Sequence, residues 1–478
     1  MAKAKRERKS EAAAKRRQRS RVAAESPADD DRPVVALVSL GCVKNLVDSE
    51  RMLAQIAESG AMISFDESAA DTVVVNTCGF LDVARQEALD VIRGLAERKR
   101  AEDLRRLVVV GCLVQRDGEA LLAAVPEIDA LVGVHNRDDV AAAIWQRAGD
   151  DAVDCYLGEY HAQPWTDRGR LRLTPGHYAY IRVSEGCNQR CTFCTIPSIR
   201  GPMRCKTPDA IVAECGELME DGARELILIG QDTTAYGRDI AYEPGLAGLL
   251  RQLDRECADA RWIRLMYAYP SVFTDAMIDA IAECERVVKY VDIPLQHIND
   301  HVLRGMGRRV TRRQTEQLLE KLRRRIPGVT IRTTFIVGFP GETASEFEEL
   351  VEFVRDSGFD AVGAFPYSQE PDTPAGRMSG QLEDAVKDER YERLMLAQQE
   401  LAFAAARRRV GQRLPVVVDG STEAGMIARH AGQAPDVDPV CWIVGEGLSP
   451  GEAVSARCVD TDGYDLIVHA DRERLSVV

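Results

Sequence analysis

The sequence of 478 residues contains no apolar run of about 18 residues, the length that a helix needs to cross a bilayer. No apolar stretch follows its charged start, so we expect no secretory signal. Aromatic residues are scarce at 6%, whereas 45% of the residues are hydrophobic and 29% are charged. This composition excludes a fibrous or largely disordered chain. We therefore expect a cytoplasmic protein of roughly two to four domains that has no membrane partner.

Positive charge is concentrated in the first 22 residues. They hold ten Lys or Arg against Glu7 and Glu11, so the rest of the chain carries a net charge of −22. The absence of apolar periodicity predicts a disordered basic leader over residues 1–32, which either solubilises the protein or touches RNA. The acidic remainder favours basic partners over nucleic acid.

Apolar runs alternate with helical patterns in residues 33–149. The predicted strands are Val34–Ser39, Thr72–Asn76, Leu107–Val110 and Ala130–Val132, and the predicted helices are Val47–Ser59, Leu81–Lys99 and Asp138–Ala148. Apolar strands separated by helices predict an open, mostly parallel α/β sheet. Prolines and glycines then indicate a linker over residues 150–176.

A second alternation fills residues 177–409. Its predicted strands are Tyr178–Ser184, Glu225–Ile229, Trp262–Met266, Tyr290–Ile293, Thr330–Val337 and Ala361–Phe365. Six β/α units predict a partial (β/α)6 barrel, because the closed form has eight. Good helix formers in Glu383–Arg409 predict a trailing helix. Short strands split by Gly, Pro and Asp in residues 411–478 predict a small antiparallel, OB-like β-barrel.

Thirteen cysteines are odd in number and too tightly grouped for a disulfide framework. Cys187, Cys191 and Cys194 form a C-x3-C-x2-C pattern just after the first barrel strand. Three thiolates are one short of the four that usually hold a 4Fe-4S cluster, which leaves one iron open. An open iron can chelate S-adenosylmethionine for one-electron cleavage. The alternative is a zinc knuckle with Cys205 as the fourth ligand.

A second set of cysteines, Cys42, Cys78 and Cys112, is spread along the sequence, but each follows a predicted strand. Parallel strands present their carboxyl ends along one edge, so three thiolates can meet there. Adjacent glycines, Gly41, Gly79 and Gly111, fit close approach to a bulky cluster. The alternative is three buried structural cysteines.

The loop Cys187–Cys194, with Phe193 before its third cysteine, resembles the signature of the radical S-adenosylmethionine superfamily. The two triads together resemble the methylthiotransferase family, over roughly residues 33–478. The resemblance implies a second 4Fe-4S cluster at Cys42, Cys78 and Cys112, a radical cluster at the barrel triad, and a C-terminal TRAM domain that recruits substrate.

The resemblance also implies contacts to S-adenosylmethionine. Gly338 and Gly341 lie in a segment that resembles the family's strand beside the adenosine, and Gln231 ends the second barrel strand. Each position also fits an ordinary strand-to-helix turn, and His297 also fits a hydrogen-bonded turn histidine. The remaining seven cysteines carry no assignment.

The family divides between enzymes that modify adenosine in transfer RNA and one branch that modifies an aspartate of small-subunit ribosomal protein twelve. A module that recruits nucleic acid should be basic. Residues 411–478 instead hold five Arg, no Lys and eleven acids. We therefore expect a basic ribosomal protein as partner and no direct RNA binding through this module. Tyr290–His297 and Ala434–Asp438 also resemble the ribosomal-protein branch.

The implied reaction begins when an electron donor such as flavodoxin or ferredoxin reduces the radical cluster. Cleavage of S-adenosylmethionine then yields a radical that abstracts a hydrogen from the β-carbon of the aspartate. A sulfur that a second S-adenosylmethionine has methylated at the N-terminal cluster then joins that carbon. Two alternatives stay open, a transfer-RNA methylthiotransferase and a non-catalytic iron-sulfur carrier or redox sensor.

Overall fold

The computed structural model describes residues 32–146, 153–160, 165–445 and 447–474, so the predicted basic leader lies outside it except for Arg32. The first part of the chain forms a parallel sheet with helices on both faces. Its strands are β1 (Val34–Ser39), β2 (Met62–Ile63), β3 (Thr72–Thr77), β4 (Arg106–Gly111), β5 (Ala130–Gly133) and β6 (Asp154–Tyr156), in the spatial order β2-β1-β3-β4-β5-β6. The helices are α1 (Val43–Glu58), α2 (Asp82–Arg100), α3 (Cys112–Ala124) and α4 (Val140–Trp145).

The predicted open α/β sheet is confirmed, because β3 and β4 are buried along their whole length between two apolar layers. Two details differ from the prediction. The helix expected over Asp138–Ala148 is a 3-10 turn, Val134–Asp139, followed by the short α4. The stretch expected to be only a linker supplies β6, a polar edge strand that pairs with β5 and therefore lacks the apolar pattern of a central strand.

The central part forms two three-stranded parallel sheets, joined by a bridge between Ile263 and Val287 into a partial barrel. Its strands are β7 (Tyr178–Arg182), β10 (Glu225–Ile229), β11 (Trp262–Leu265), β12 (Tyr290–Asp292), β13 (Thr330–Val337) and β14 (Ala361–Pro366), with the short pair β8 (Ser184–Glu185) and β9 (Arg204–Cys205) after β7. Its helices are α5 (Ile196–Arg200), α6 (Pro208–Glu220), α7 (Gly245–Glu256), α8 (Asp275–Glu283), α9 (Asp300–Gly305), α10 (Arg312–Arg325), α11 (Ala344–Ser357) and the trailing α12 (Asp384–Arg407). The six predicted strands are all present.

The C-terminal part is a closed five-stranded barrel. Its strands are β15 (Arg413–Thr422), β16 (Gly425–His430), β17 (Cys441–Val444), β18 (Ala453–Asp462) and β19 (Asp465–Arg474), in the order β15-β16-β17-β19-β18. The expected antiparallel pairing is wrong for β17 and β19. These two strands run parallel, because the strand between them in sequence, β18, runs opposite to both. In the described part of the chain, no helix has the length and apolar character that a membrane crossing requires.

Candidate functional site

The three N-terminal cysteines lie at the carboxyl ends of the adjacent strands β1, β3 and β4. The buried amide of Asn45, in the first turn of α1, joins their loops. Its Nδ2 donates hydrogen bonds to the carbonyl of Leu40 at 3.0 Å and to that of Thr77 at 2.8 Å, and its Oδ1 lies 3.5 Å from the Cys112 Sγ. Leu40 and Thr77 precede Cys42 and Cys78. One side chain therefore gathers all three cysteine loops.

Two glycines, each adjacent to a cysteine of the triad, let these loops touch. A Cβ atom on Gly41, whose φ is 89°, would stand 2.6 Å from the Cys78 Cβ. A Cβ on Gly79 would stand 2.8 Å from the backbone of Cys112. These glycines therefore let the cysteine loops lie against one another, whereas the predicted approach of the backbone to a bulky cluster stays a prediction.

The second cysteine loop lies at the mouth of the partial barrel, after β7 and β8. The backbone N–H of Thr192 donates to Met306 at 2.9 Å, and the Gln189 side chain donates to the carboxylate of Asp232 at 2.8 Å. Asp232 follows β10, so the loop is fixed to the end of the next strand in the barrel. This is where barrel enzymes place their chemistry.

Burial makes the thiols of Cys78, Cys112, Cys187 and Cys194 weaker acids. It raises the pKa of Cys187 to about 11 and those of Cys112 and Cys194 to about 12. At neutral pH these groups hold their protons until a metal displaces them. Burial also opposes ionisation of Cys42, but the charges of Lys44 and Arg200 bring the pKa of its thiol below the ordinary value.

An arginine stands beside each triad. The Arg200 Nη2 lies 3.4 Å from the Cys112 Sγ, and the Arg308 Nη1 lies 3.9 Å from the Cys191 Sγ. These cations stabilise negative charge on sulfur. Neither was identified from the sequence, because a contact between Arg308 and a cysteine 117 positions earlier leaves no local pattern.

Two contacts connect the triads. Arg200 ends α5, the short helix that begins just after Cys194, and it reaches the Cys112 sulfur of the other triad. The second contact is made by the segment after β11. The Lys44 ammonium, two residues from Cys42, stacks on the ring of Tyr267. The hydroxyl of Tyr269, two residues further along, lies 3.9 Å from the Cys191 Sγ. Elements from one triad therefore touch residues that belong to the other.

The zinc interpretation of the barrel loop finds no support. In the ranges described, no three His, Cys, Asp or Glu side chains approach closely enough to share one metal ion. The Cys205 sulfur instead accepts a hydrogen bond from the Gly237 N–H at 3.3 Å. A 4Fe-4S cluster binds each thiolate to a different iron, so its ligands need not converge on one point.

The four positions expected to contact S-adenosylmethionine have different surroundings. The Phe193 ring packs on a cluster at the barrel mouth, and the buried Gln231 Oε1 has no hydrogen-bond partner among the described residues. A Cβ on Gly338 would meet the Lys387 side chain at 2.5 Å, whereas one on Gly341 would enter open space. The absence of a side chain at Gly338 therefore lets the trailing helix α12 pack against this turn. The trailing helix was predicted from the sequence, but this contact was not.

His297 fits the turn interpretation. Its Nδ1 accepts a hydrogen bond from the Asn299 N–H at 3.0 Å. Burial lowers the pKa of the imidazole to about 3, so the ring is neutral at physiological pH.

A buried ion-pair network between the N-terminal sheet and the barrel was missed entirely by the sequence reasoning. At its centre, the fully buried Glu185 accepts hydrogen bonds from Arg200 at 2.8 Å, Arg137 at 3.0 Å and Arg204 at 2.9 Å. The other members of the network are Asp48, Glu50, Asp167, Arg170, Arg182, Lys206 and Glu214. It fixes the position of α1, and hence of the N-terminal triad, on the barrel.

The C-terminal barrel docks at the opposite end, where the barrel strands begin. Tyr180 and Tyr290 donate from their hydroxyls to Asp436 at 2.9 Å and Asp438 at 2.7 Å. Asp419 is held by Arg429 and lies 2.8 Å from His177. Three of the acids counted in the charge of this module are therefore engaged in contacts within the protein.

Comparison with known proteins agrees with this architecture. Residues 34–133 match the Uncharacterized protein family UPF0004, residues 181–354 match the Radical SAM superfamily, and residues 410–470 match the TRAM domain.

Several full-length relatives bear the name ribosomal protein uS12 methylthiotransferase RimO. The protein from Trichlorobacter lovleyi is 43% identical over 442 residues, covering 92% of this chain and 98% of the relative. The protein from Geobacter sulfurreducens is 41% identical, covering 91% and 97%.

Among solved structures, the radical S-adenosylmethionine methyltransferase TsrM from Kitasatospora setae has a similar fold. The form with tryptophan and a SAM analogue bound has a TM-score of 0.54 and 17% identity, over 82% of this chain and 79% of that one.

Proposed function

Because the chain belongs to the ribosomal protein uS12 methylthiotransferase family, we propose that it replaces a hydrogen on the β-carbon of an aspartate of uS12 with a methylthio group. The observation that carries this proposal is that the two cysteine triads, distant in sequence, are linked through the side chains beside them. Arg200 and the Tyr267–Tyr269 segment each link one triad to the other. Sulfur insertion needs both groups of ligands near one substrate.

We propose that Cys187, Cys191 and Cys194 hold the radical 4Fe-4S cluster and that Cys42, Cys78 and Cys112 hold the second. When bound, the clusters and S-adenosylmethionine supply one-electron cleavage and a sulfur donor. The donor sets fit, since each offers three thiols with one nearby arginine to stabilise negative charge.

For S-adenosylmethionine we propose Phe193, Gln231, Gly338 and Gly341 as contacts. The buried Gln231 Oε1 without a partner supports its place in this set, because a buried acceptor is costly unless something donates to it. The open space at Gly341 is consistent with a neighbouring ligand. Gly338 is the weakest member, since Lys387 already occupies the space that its missing side chain leaves.

We propose that the partner is basic uS12 and that a flavodoxin or ferredoxin supplies the electron. The net charge of −14 for the whole chain supports attraction of a basic protein. The C-terminal module keeps exposed acids such as Glu423 and Asp460, which disfavour direct RNA binding through it.

Anaerobic incubation of the reconstituted protein with S-adenosylmethionine, dithionite and purified uS12 tests the function. We expect 5′-deoxyadenosine together with a uS12 aspartate that has gained one methylthio group, measured by peptide mass spectrometry. Modification of adenosine in transfer RNA instead of uS12 would indicate the other branch of the family. A carrier or redox sensor would form no 5′-deoxyadenosine.

Replacing Asn45 with Ala should selectively weaken the second cluster. The change removes the amide that gathers three loops and leaves the half-buried carbonyl of Leu40 and the buried carbonyl of Thr77 without its donor, and the loss at Thr77 alone should cost about 1–3 kcal/mol. After gel filtration we expect iron to fall from about eight toward about four per chain. Formation of 5′-deoxyadenosine should persist. Retention of all the iron would show that the loops hold together without Asn45.

A further inference from the structure

The buried Lys44 side chain makes no hydrogen bond or close ion pair with any residue that the structure describes, although the charges of Cys42 and Asp292 act on it. Its side chain lies in the first turn of α1, and the residue is only 6% exposed. The ammonium stands over the Tyr267 ring, 2.8 Å from the centroid. Among the residues that the structure describes, no carboxylate or other acceptor lies within hydrogen-bond distance of it. Burying an ammonium in this way is costly, and an aromatic face compensates only in part.

Tyr267, whose ring lies under the Lys44 ammonium, has a strained backbone. Tyr267 has a φ of 60°, a left-handed conformation that bulky residues rarely adopt. The buried carboxylate of Asp292 holds it there, accepting a hydrogen bond from the Tyr267 N–H at 2.9 Å, and Arg332 anchors the other oxygen of Asp292 at 2.9 Å. Such strain persists only where surrounding structure imposes it, and it is concentrated at ligand-binding sites.

Lys44 is also linked to both triads. It is two residues from Cys42, and its aromatic support is two residues from Tyr269, whose hydroxyl lies 3.9 Å from the Cys191 sulfur. Two other cations near the sulfurs already have partners. Arg200 is paired with Glu185 and Asp48, and Arg308 donates to the carbonyl of Pro294.

We propose that Lys44 binds the side-chain carboxylate of the substrate aspartate. This inference rests on the proposed function and adds a substrate-binding residue to it. The carboxylate would supply a directly hydrogen-bonded anion, and the carbon next to that carboxylate is the β-carbon that reacts. Binding there holds this carbon near both triads. Such a contact would favour aspartate over asparagine, since a neutral amide accepts a hydrogen bond from the ammonium but forms no ion pair with it.

The test is a double-mutant cycle on binding, measured with cluster-loaded protein and no reductant, so that no turnover occurs. Kd is determined for wild-type protein and Lys44→Met against purified uS12 and against uS12 whose target aspartate is replaced by asparagine. Wild-type protein should bind the aspartate form at least about 30-fold more tightly, because truncating one partner of a buried charge pair costs at least that factor. Lys44→Met should bind both forms equally, near the wild-type affinity for the asparagine form. Lys44→Arg should retain part of the preference.

Two controls separate binding from folding. Lys44→Met should keep the wild-type iron content, and Lys321→Met, which removes a lysine paired with Asp275 on the outer face of the barrel, should leave every Kd unchanged. If Lys44→Met retains the preference for aspartate, or weakens both forms equally, the inference is wrong. If wild-type protein neither binds nor modifies uS12, the proposed function itself fails.

Discussion

Replacing Cys42, Cys78 and Cys112 together with Ala is expected to abolish methylthio transfer while S-adenosylmethionine cleavage remains measurable. The barrel triad has its own supports, through Gln189 to Asp232 and through Thr192 to Met306, and none of these involves the N-terminal sheet. Cleavage therefore does not require the second set of thiols. We expect no detectable methylthio product and 5′-deoxyadenosine within about tenfold of wild type, measured by liquid chromatography and mass spectrometry.

The matched variant is Cys187→Ala, which removes one ligand of the barrel triad. It should reduce 5′-deoxyadenosine to background and with it every later product. If the triple variant also loses cleavage while folded, as judged by circular dichroism, the division of labour between the triads is wrong.

Glu185→Gln is expected to cost about 3–5 kcal/mol of unfolding free energy, the loss typical of breaking a buried ion pair. The carboxylate is fully buried and accepts from Arg137, Arg200 and Arg204. Neutralising it leaves these guanidinium groups in a low-dielectric interior with too little negative charge. Urea unfolding followed by circular dichroism under anaerobic conditions measures the change.

The control is Glu320→Gln, which breaks an exposed pair with Arg324 at 3.5 Å on α10. That change should stay within about 0.5 kcal/mol, because solvent screens such pairs. Equal stability of the two variants would mean that the Glu185 network does not hold the N-terminal sheet on the barrel.

Much of the fold was predictable because buried parallel strands are continuous apolar runs. The bounds of β1, β10 and β13 agree with their predicted ends. The edge strand β6, Asp154–Tyr156, was missed because it is short and polar and so has no apolar run. Periodicity identifies elements that are buried on both faces and says little about the elements at the edge.

The places of the candidate cysteines at the ends of strands were also predictable, because their spacing and their positions after strands are local patterns. The residues that support them were not. Glu185 and Arg137 are 48 positions apart, and Asp292 supports Tyr267 from another strand. Charged residues in a sequence resemble solvent-exposed residues until the fold pairs them. Asp419 and Asp438 show this, since both were counted in the net charge of the C-terminal module and both are half-buried and hydrogen-bonded within the protein.

Iron and acid-labile sulfide in anaerobically reconstituted wild-type protein test the central claim most directly. Two cubane clusters predict about eight irons and about eight sulfides per chain, falling to about four of each in the Cys42, Cys78 and Cys112 triple variant. About four irons in the fully reconstituted wild-type protein would contradict the account.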